Sequence, residues 1–149
     1  MAPRCRGDAE VTAGRGPALD RLILDTTILV GAERRAAALD ELIGDQDDVA
    51  ISAITAAELL LGVELADTRR RKARERHVES ILATMPVEAY DLDVAHVHAR
   101  LLAHVRRAGR ARGAHDLIIA ATALARDRVV VTADARGFED LPGVVVRGS

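Results

Sequence analysis

Short apolar runs alternate with longer segments of helical periodicity along most of the chain. The apolar runs predict five β-strands, at Leu22–Leu24, Val49–Ile51, Val87–Tyr90, Arg128–Val131 and Val144–Val146. The segments between them predict helices at Thr26–Val30, Ala36–Ile43, Thr55 to about Leu65, after Asp67 up to Pro86, from Asp93 to Gly109 and at Leu117–Ala125. Strands that alternate with helices favour parallel β-α units, and hence an open α/β sheet.

The polarity of single segments indicates how this sheet is covered. In the helix that begins near Asp93, the apolar positions fall on one face: Val94, Val97, Leu101 and Val105. Leu117–Ala125 is apolar nearly all round, which predicts a buried helix. The strand at Arg128–Val131 shows no polar alternation, as expected when both faces of a sheet are covered. The patterning therefore predicts helices on both faces.

Four acidic residues lie where the apolar segments meet turns: Asp25, Glu58, Asp116 and Asp134. Asp25 and Asp134 follow predicted strands. Glu58 and Asp116 are expected in the first turns of helices, where the positive end of the helix dipole tolerates an anion. In open α/β sheets, functional groups collect beyond the carboxyl ends of the strands. The four acids are therefore expected near one edge, as an oxygen-lined site for Mg²⁺ or Mn²⁺.

Each acid alone also has an ordinary structural explanation. Asp25 and Asp116 suit helix caps, Thr55 with Glu58 fits a capping box, and Asp134 suits a turn. Taken together these explanations weaken, because independent caps need not fall at corresponding ends of strands and helices. A carboxylate beside a buried apolar segment also costs free energy unless it is paired or binds a metal.

Composition and charge narrow the choice of partner. The chain of 149 residues suits one domain, and its one Phe, one Tyr and no Trp argue against single-strand binding by aromatic stacking. The net charge is −2, but the basic runs RRRKARER at 69–76 and RRAGRAR at 106–112 offer local patches of the kind that contact phosphate backbones. The single Cys5 permits no internal disulfide, which fits a reducing cytoplasm.

The first residues differ in character from the rest. Residues 1–17 are rich in glycine, proline and charge and have no periodicity, which predicts a flexible N-terminal tail before one domain at 18–149. The tail lacks the apolar core of a signal peptide. No apolar run in the chain is long enough to span a bilayer.

Four ordered segments carry a family resemblance: LDTT at Leu24–Thr27, SAITAAEL at Ser52–Leu59, DLIIAA at Asp116–Ala121 and VTAD at Val131–Asp134. Together they resemble the PIN domain, and more narrowly the VapC-type ribonuclease toxins of bacterial and archaeal toxin–antitoxin pairs. The match covers about Arg21 to Arg147, and its specificity lies in the order and spacing of the segments.

The resemblance implies a Rossmann-like fold, with a central parallel sheet flanked by helices on both faces, and Mg²⁺-dependent cleavage of RNA. It carries over four catalytic and metal-binding residues: Asp25, Glu58, Asp116 and Asp134. In this family Asp25 and Asp116 are usually the most direct ligands. Thr26 and Thr132 match small hydroxyl positions beside the acids. The resemblance further implies a structured RNA substrate of the tRNA or rRNA class, a cognate VapB-type antitoxin and a homodimer.

One further residue is a candidate from its position alone. Arg112 lies close upstream of Asp116, where it is a candidate phosphate contact, although a solvated loop arginine is about equally compatible with the sequence.

Two other classes of function stay open. A haloacid-dehalogenase-type phosphotransferase also has an acidic nucleophile after its first strand, but it needs a second Asp two residues later, where Thr27 stands. A non-catalytic protein-interaction module with a PIN-like fold would use the acids as caps. That module predicts that the acids can be replaced without loss of any activity.

Overall fold

A computed structural model describes residues 19–32 and 43–148. Its strands are β1 (Arg21–Leu24), β2 (Asp48–Ser52), β3 (Val87–Glu88), β4 (Val129–Thr132) and β5 (Val146–Gly148). Its helices are α1 (Thr26–Ala32), α2 (Ala53–Glu64), α3 (Thr68–Thr84), α4 (Leu92–Ala108) and α5 (Ala114–Ala125), with a short 3₁₀ helix at Ala135–Phe138. The predicted tail at 1–17 and most of the predicted helix Ala36–Ile43 lie outside the described residues.

All five strands are parallel, and they lie in the order β3-β2-β1-β4-β5. The central strand β1 pairs with β2 on one side and β4 on the other, so that Leu22 aligns with Val49 and with Val129. The chain leaves β1 towards β2 and later returns to its other side as β4, which makes this point the topological switch of the sheet. Ligand sites of open α/β sheets lie beyond the strand ends at such a point.

Two apolar cores cover the two faces of the sheet. Successive side chains of a strand point to opposite faces. Accordingly Ile23 and Val130 pack with α4 and α5 in one core, whereas Leu22, Leu24 and Val131 pack with α1, α2 and α3 in the other. The predicted α/β fold with helices on both faces is confirmed. Among the described residues, no helix is long and apolar enough to cross a membrane.

The start of α2 corrects the predicted cap. Ser52, not Thr55, is the N-cap, because β2 runs directly into the helix without a loop. Ser52 Oγ accepts a hydrogen bond from the Thr55 backbone N–H at 3.1 Å and donates to Thr55 Oγ1 at 3.0 Å. The capping box of Thr55 and Glu58 is therefore wrong, and Glu58 lies in the second turn of α2 rather than the first.

Helix α4 also has a side-chain cap at its start, two residues earlier than the predicted start, and it ends at a glycine. The N-cap is Asp91, two residues before the predicted helix start at Asp93, and its Oδ1 accepts from the Val94 N–H at 3.1 Å. Gly109 closes the helix in the left-handed conformation at φ 67°, as predicted. Just before the helix, the half-exposed Tyr90 places its hydroxyl 2.7 Å from Nδ1 of His98, with the rings in an edge-to-face contact.

A buried arginine joins the strands at the amino-terminal edge of the sheet. The side chain of Arg128 is 5% exposed. Its guanidinium donates to the Leu22 carbonyl at 3.2 Å, the Asp48 carbonyl at 3.0 Å and Glu88 Oε1 at 2.9 Å. Buried cations are tolerated when they are paired in this way. Arg128 thus fixes three neighbouring strands at the edge away from the acidic residues.

Candidate active site

Asp25 is the most firmly held of the acidic side chains. It follows β1 directly, its backbone N–H donates to the Val131 carbonyl at 2.8 Å, and the residue is 4% exposed. Oδ1 accepts from the Thr26 N–H at 2.8 Å, and Oδ2 accepts from the hydroxyls of Thr27 and Thr132, each at 2.8 Å. Three donors therefore fix the plane of a buried carboxylate.

The two hydroxyls that hold Asp25 are themselves oriented by the loop after β4. The Ala133 N–H donates to Thr27 Oγ1 at 3.2 Å, and the Asp134 N–H donates to Thr132 Oγ1 at 3.0 Å. Each hydroxyl accepts from the backbone and donates to the carboxylate, and such chains polarise one another. The loop that carries Asp134 is thereby connected to Asp25.

The two hydroxyl residues named from the motif, Thr26 and Thr132, contact Asp25 in different ways. Thr132 donates to Asp25, as its position in the motif indicates. Thr26 contributes only its backbone N–H, and its buried hydroxyl has no hydrogen-bond partner within the described ranges. The neighbouring Thr27 donates its hydroxyl to Asp25 Oδ2. Sequence reasoning missed it because the choice between two adjacent threonines depends on which side chain turns inward.

The pKa of Asp116 is affected by the charges of all three other acids. It lies in the first turn of α5, as predicted. Burial raises its pKa above the usual value, and the negative charges of Asp25, Glu58 and Asp134 raise it further, while His115 acts in the opposite direction. The fold therefore brings the four acids close enough for their charges to interact.

Glu58 and Asp134 stand at more open positions. The Glu58 side chain is 27% exposed, and its Oε1 lies 3.1 Å from Nδ1 of His115, which makes an ion pair when the imidazole is protonated. Asp134 is exposed, caps the 3₁₀ helix and accepts from the Arg136 N–H at 3.3 Å. Asp134 thus has a turn role of the kind first considered for it, in addition to its place beside Asp116.

The side chain of Arg112 is hydrogen-bonded to a neighbouring turn. Its Nη2 donates to the Glu139 carbonyl at 2.8 Å and lies 3.9 Å from Asp140 Oδ2. Arg110 reaches the same carboxylate oxygen at 2.6 Å and is far more exposed. These bonds account for the position of the Arg112 side chain, and its contact with a phosphate stays a prediction.

The donor set suits a hard divalent cation. All four acids supply carboxylate oxygens, which Mg²⁺ and Mn²⁺ prefer. Within residues 19–32 and 43–148, no three His, Cys, Asp or Glu side chains are grouped tightly enough to hold an ion together. Mg²⁺ usually binds through one or two carboxylates and keeps several waters, so a complete protein cage is not required. The residues therefore fit such an ion by their chemistry.

The chain matches a known protein family. A family model described as the PIN domain matches residues 22–144. The chain therefore belongs to the PIN-domain family.

Within that family the similarity extends to VapC proteins. Ribonuclease VapC5 of Mycobacterium tuberculosis is 35% identical over 112 residues, which cover 75% of this chain and 82% of that protein. The tRNA(fMet)-specific endonuclease VapC of Salmonella typhimurium is 36% identical over 97 residues, or 63% of this chain and 70% of that protein. The crystal structure of VapBC-5, a toxin–antitoxin system of M. tuberculosis, matches 87% of this chain and 98% of its own with a TM-score of 0.72 at 34% identity. These similarities confirm the resemblance to VapC-type toxins.

Proposed function

We propose that this chain is a metal-dependent endoribonuclease toxin whose catalytic and metal-binding residues are Asp25, Glu58, Asp116 and Asp134. The observation that carries the proposal is the buried carboxylate of Asp25, which three hydrogen bonds fix at the switch point of the sheet. The raised pKa of Asp116, caused by burial and by the charges of the other three acids, supports it. A fold that gathers carboxylates against their mutual repulsion gains most when a divalent cation offsets that repulsion.

Each of the four acids has its own role in the proposed site. Asp25 has its carboxylate fixed by three hydrogen bonds, and it is the preorganised ligand. Asp116 is its partner across the switch point, and Glu58 and Asp134 complete the negative field from the more exposed side. The four acids would hold Mg²⁺, or Mn²⁺ in its place, which would supply positive charge at the phosphodiester and a water of lowered pKa. Thr27 and Thr132 keep Asp25 in the orientation that this requires.

The proposed substrate is a structured RNA of the tRNA or rRNA class. The support is the similarity to a relative named as a tRNA(fMet)-specific endonuclease. The basic residues 69–76 begin α3 and are mostly exposed, which makes them candidate contacts for the RNA backbone. The acidic site itself repels a polyanion, so contact by cationic side chains elsewhere is required.

The proposed partner is a VapB-type antitoxin. The similar VapBC-5 structure is that of a toxin–antitoxin system. This chain exposes Val30 on α1, which lines a pocket together with Glu58, and Leu61, which lies one turn after Glu58 on α2. Exposed apolar side chains beside the acidic site are candidate contacts for a protein partner. Co-expression with the product of a small reading frame next to this one should yield a complex without RNase activity. A homodimer is proposed on the resemblance alone.

The decisive experiment is RNA cleavage with Mg²⁺ or Mn²⁺ by the wild type, Asp25→Asn and Asp116→Asn. Asp127→Asn is the matched control, because Asp127 is exposed at φ 53°, a conformation that Asn adopts readily. We expect cleavage by the wild type and the control and loss of about 100-fold or more in the two site variants. Equal cleavage by all four proteins would refute the assignment of the site. A wild type that cleaves no RNA would favour a non-catalytic interaction module.

A further inference from the structure

Gly113 and Gly137 approach the same oxygen of Asp116 from two different segments. Gly113 is the N-cap of α5, and Gly137 lies in the 3₁₀ helix after Asp134. A Cβ atom placed on Gly137 would lie 2.6 Å from Asp116 Oδ2, and one placed on Gly113 would lie 3.0 Å from it. The carboxylate therefore occupies the space that side chains at these positions would fill.

The backbone itself does not require glycine at either position. The glycines with positive φ among the described residues are Gly109, Gly143 and Gly148. Gly113 has φ −58° and ψ 133°, which any residue adopts. The requirement at Gly113 and Gly137 is thus one of space, and the neighbour that sets it is the side chain of Asp116.

We propose that Gly137 is a positioning residue for Asp116: its missing side chain lets the 3₁₀ helix close on the carboxylate and hold it towards the other acids. The inference rests on the proposed function, in which Asp116 is a metal ligand. Gly113 contributes to the same restraint more weakly, because its clearance is larger. An added methyl group at Gly137 leaves the carboxylate no room at its present place, so Asp116 must rotate away from its partners.

The first test measures Mn²⁺ binding by electron paramagnetic resonance on the full chain, beside the rate of RNA cleavage. Gly137→Ala is expected to weaken Mn²⁺ binding by about 10-fold to 100-fold and to lower kcat while KM for RNA stays unchanged. Gly113→Ala is expected to fall between the wild type and Gly137→Ala. Gly62→Ala is the matched control, since its Cβ would make only an ordinary contact at 3.7 Å with Arg74. Wild-type binding by Gly137→Ala would overturn the inference.

The second test needs no metal and separates the inference from the proposed function. Thermal unfolding in EDTA is measured for Gly137→Ala in the wild-type background and in the Asp116→Ala background. If the added methyl displaces the carboxylate, the change in Tm caused by Gly137→Ala differs between the two backgrounds. An equal change in Tm in both backgrounds would overturn the inference. Failure of both Gly137→Ala and the double variant Gly137→Ala/Asp116→Ala to fold would overturn it as well. A wild type without Mn²⁺ binding would refute the proposed function, and this comparison would still decide the role of Gly137.

Discussion

Replacing Thr132 by valine tests whether the hydroxyls beside Asp25 preorganise the site. The change keeps the shape of a residue with no exposed surface and removes one donor to the carboxylate at 2.8 Å and one acceptor of the Asp134 N–H at 3.0 Å. Thr27 remains as the other hydroxyl donor to Oδ2. The variant therefore isolates one arm of the network that connects the loop after β4 to Asp25.

The magnitude follows from the two lost hydrogen bonds. A hydrogen bond to a charged group contributes about 1.5–3 kcal/mol to the free energy of unfolding. The second bond adds little, because Asp134 is exposed and water replaces the lost acceptor. Thr132→Val is therefore expected to lower the free energy of unfolding by about 1.5–3 kcal/mol, which corresponds to roughly 3–12 °C in Tm for a chain of this size.

The assay is thermal unfolding followed by circular dichroism, in EDTA so that metal binding does not contribute. Thr122→Val is the matched control, because Thr122 is equally buried but its hydroxyl donates only to the Ile118 carbonyl of its own helix. We expect that control to change the free energy of unfolding by less than about 1 kcal/mol. If the two variants unfold at the same temperature, the hydroxyl of Thr132 does not hold Asp25 in the way argued.

Three further outcomes are expected. In EDTA at pH 7, Asp116→Asn should raise Tm, because burial and the neighbouring carboxylates raise the pKa of Asp116, so that its charge destabilises the folded state. The gain in Tm should shrink as pH falls through the raised pKa towards the ordinary value of 3.8. A gain in Tm that does not depend on pH would contradict this. Ser52→Ala should lower the free energy of unfolding by about 1 kcal/mol, measured by urea titration. An unchanged free energy of unfolding would indicate that Thr55, and not Ser52, caps the helix. Arg128→Met should lower the free energy of unfolding by about 1–3 kcal/mol in the same titration, because the Leu22 and Asp48 carbonyls lose a buried donor. Glu88 keeps Arg126 and Asp48 keeps Arg21 as ion-pair partners, and a neutral result would show that water replaces the Arg128 guanidinium.

The sequence predicts the sheet and the place of the acids for a simple reason. Unbroken apolar runs such as Val129–Val131 indicate strands covered on both faces, and the alternation of strands and helices favours parallel pairing. Parallel strands put their carboxyl ends at one edge, so Asp25 and Asp134 are placed there before any coordinates are known. Asp116 in the first turn of α5 follows from the same logic.

The errors arise where a choice depends on contacts between distant segments. Ser52 and Thr55 are both good caps, and only the direct passage from β2 into α2 selects Ser52. Thr27 differs from Thr26 because its hydroxyl meets Asp25 and the loop after β4, which is 106 residues away along the chain. The clearance at Gly137 depends on how closely the 3₁₀ helix approaches α5, which no local pattern records.

The corner between β3 and α4 gives the protein an optical reporter of its own. Tyr90 is the only tyrosine in the sequence, and there is no tryptophan to mask its emission. Its hydroxyl is hydrogen-bonded to the imidazole of His98, and proton transfer to or from such a neighbour alters tyrosine fluorescence. Tyrosine fluorescence therefore reports on one corner of the domain without a label, and a partner that covers this corner changes a signal from a single residue.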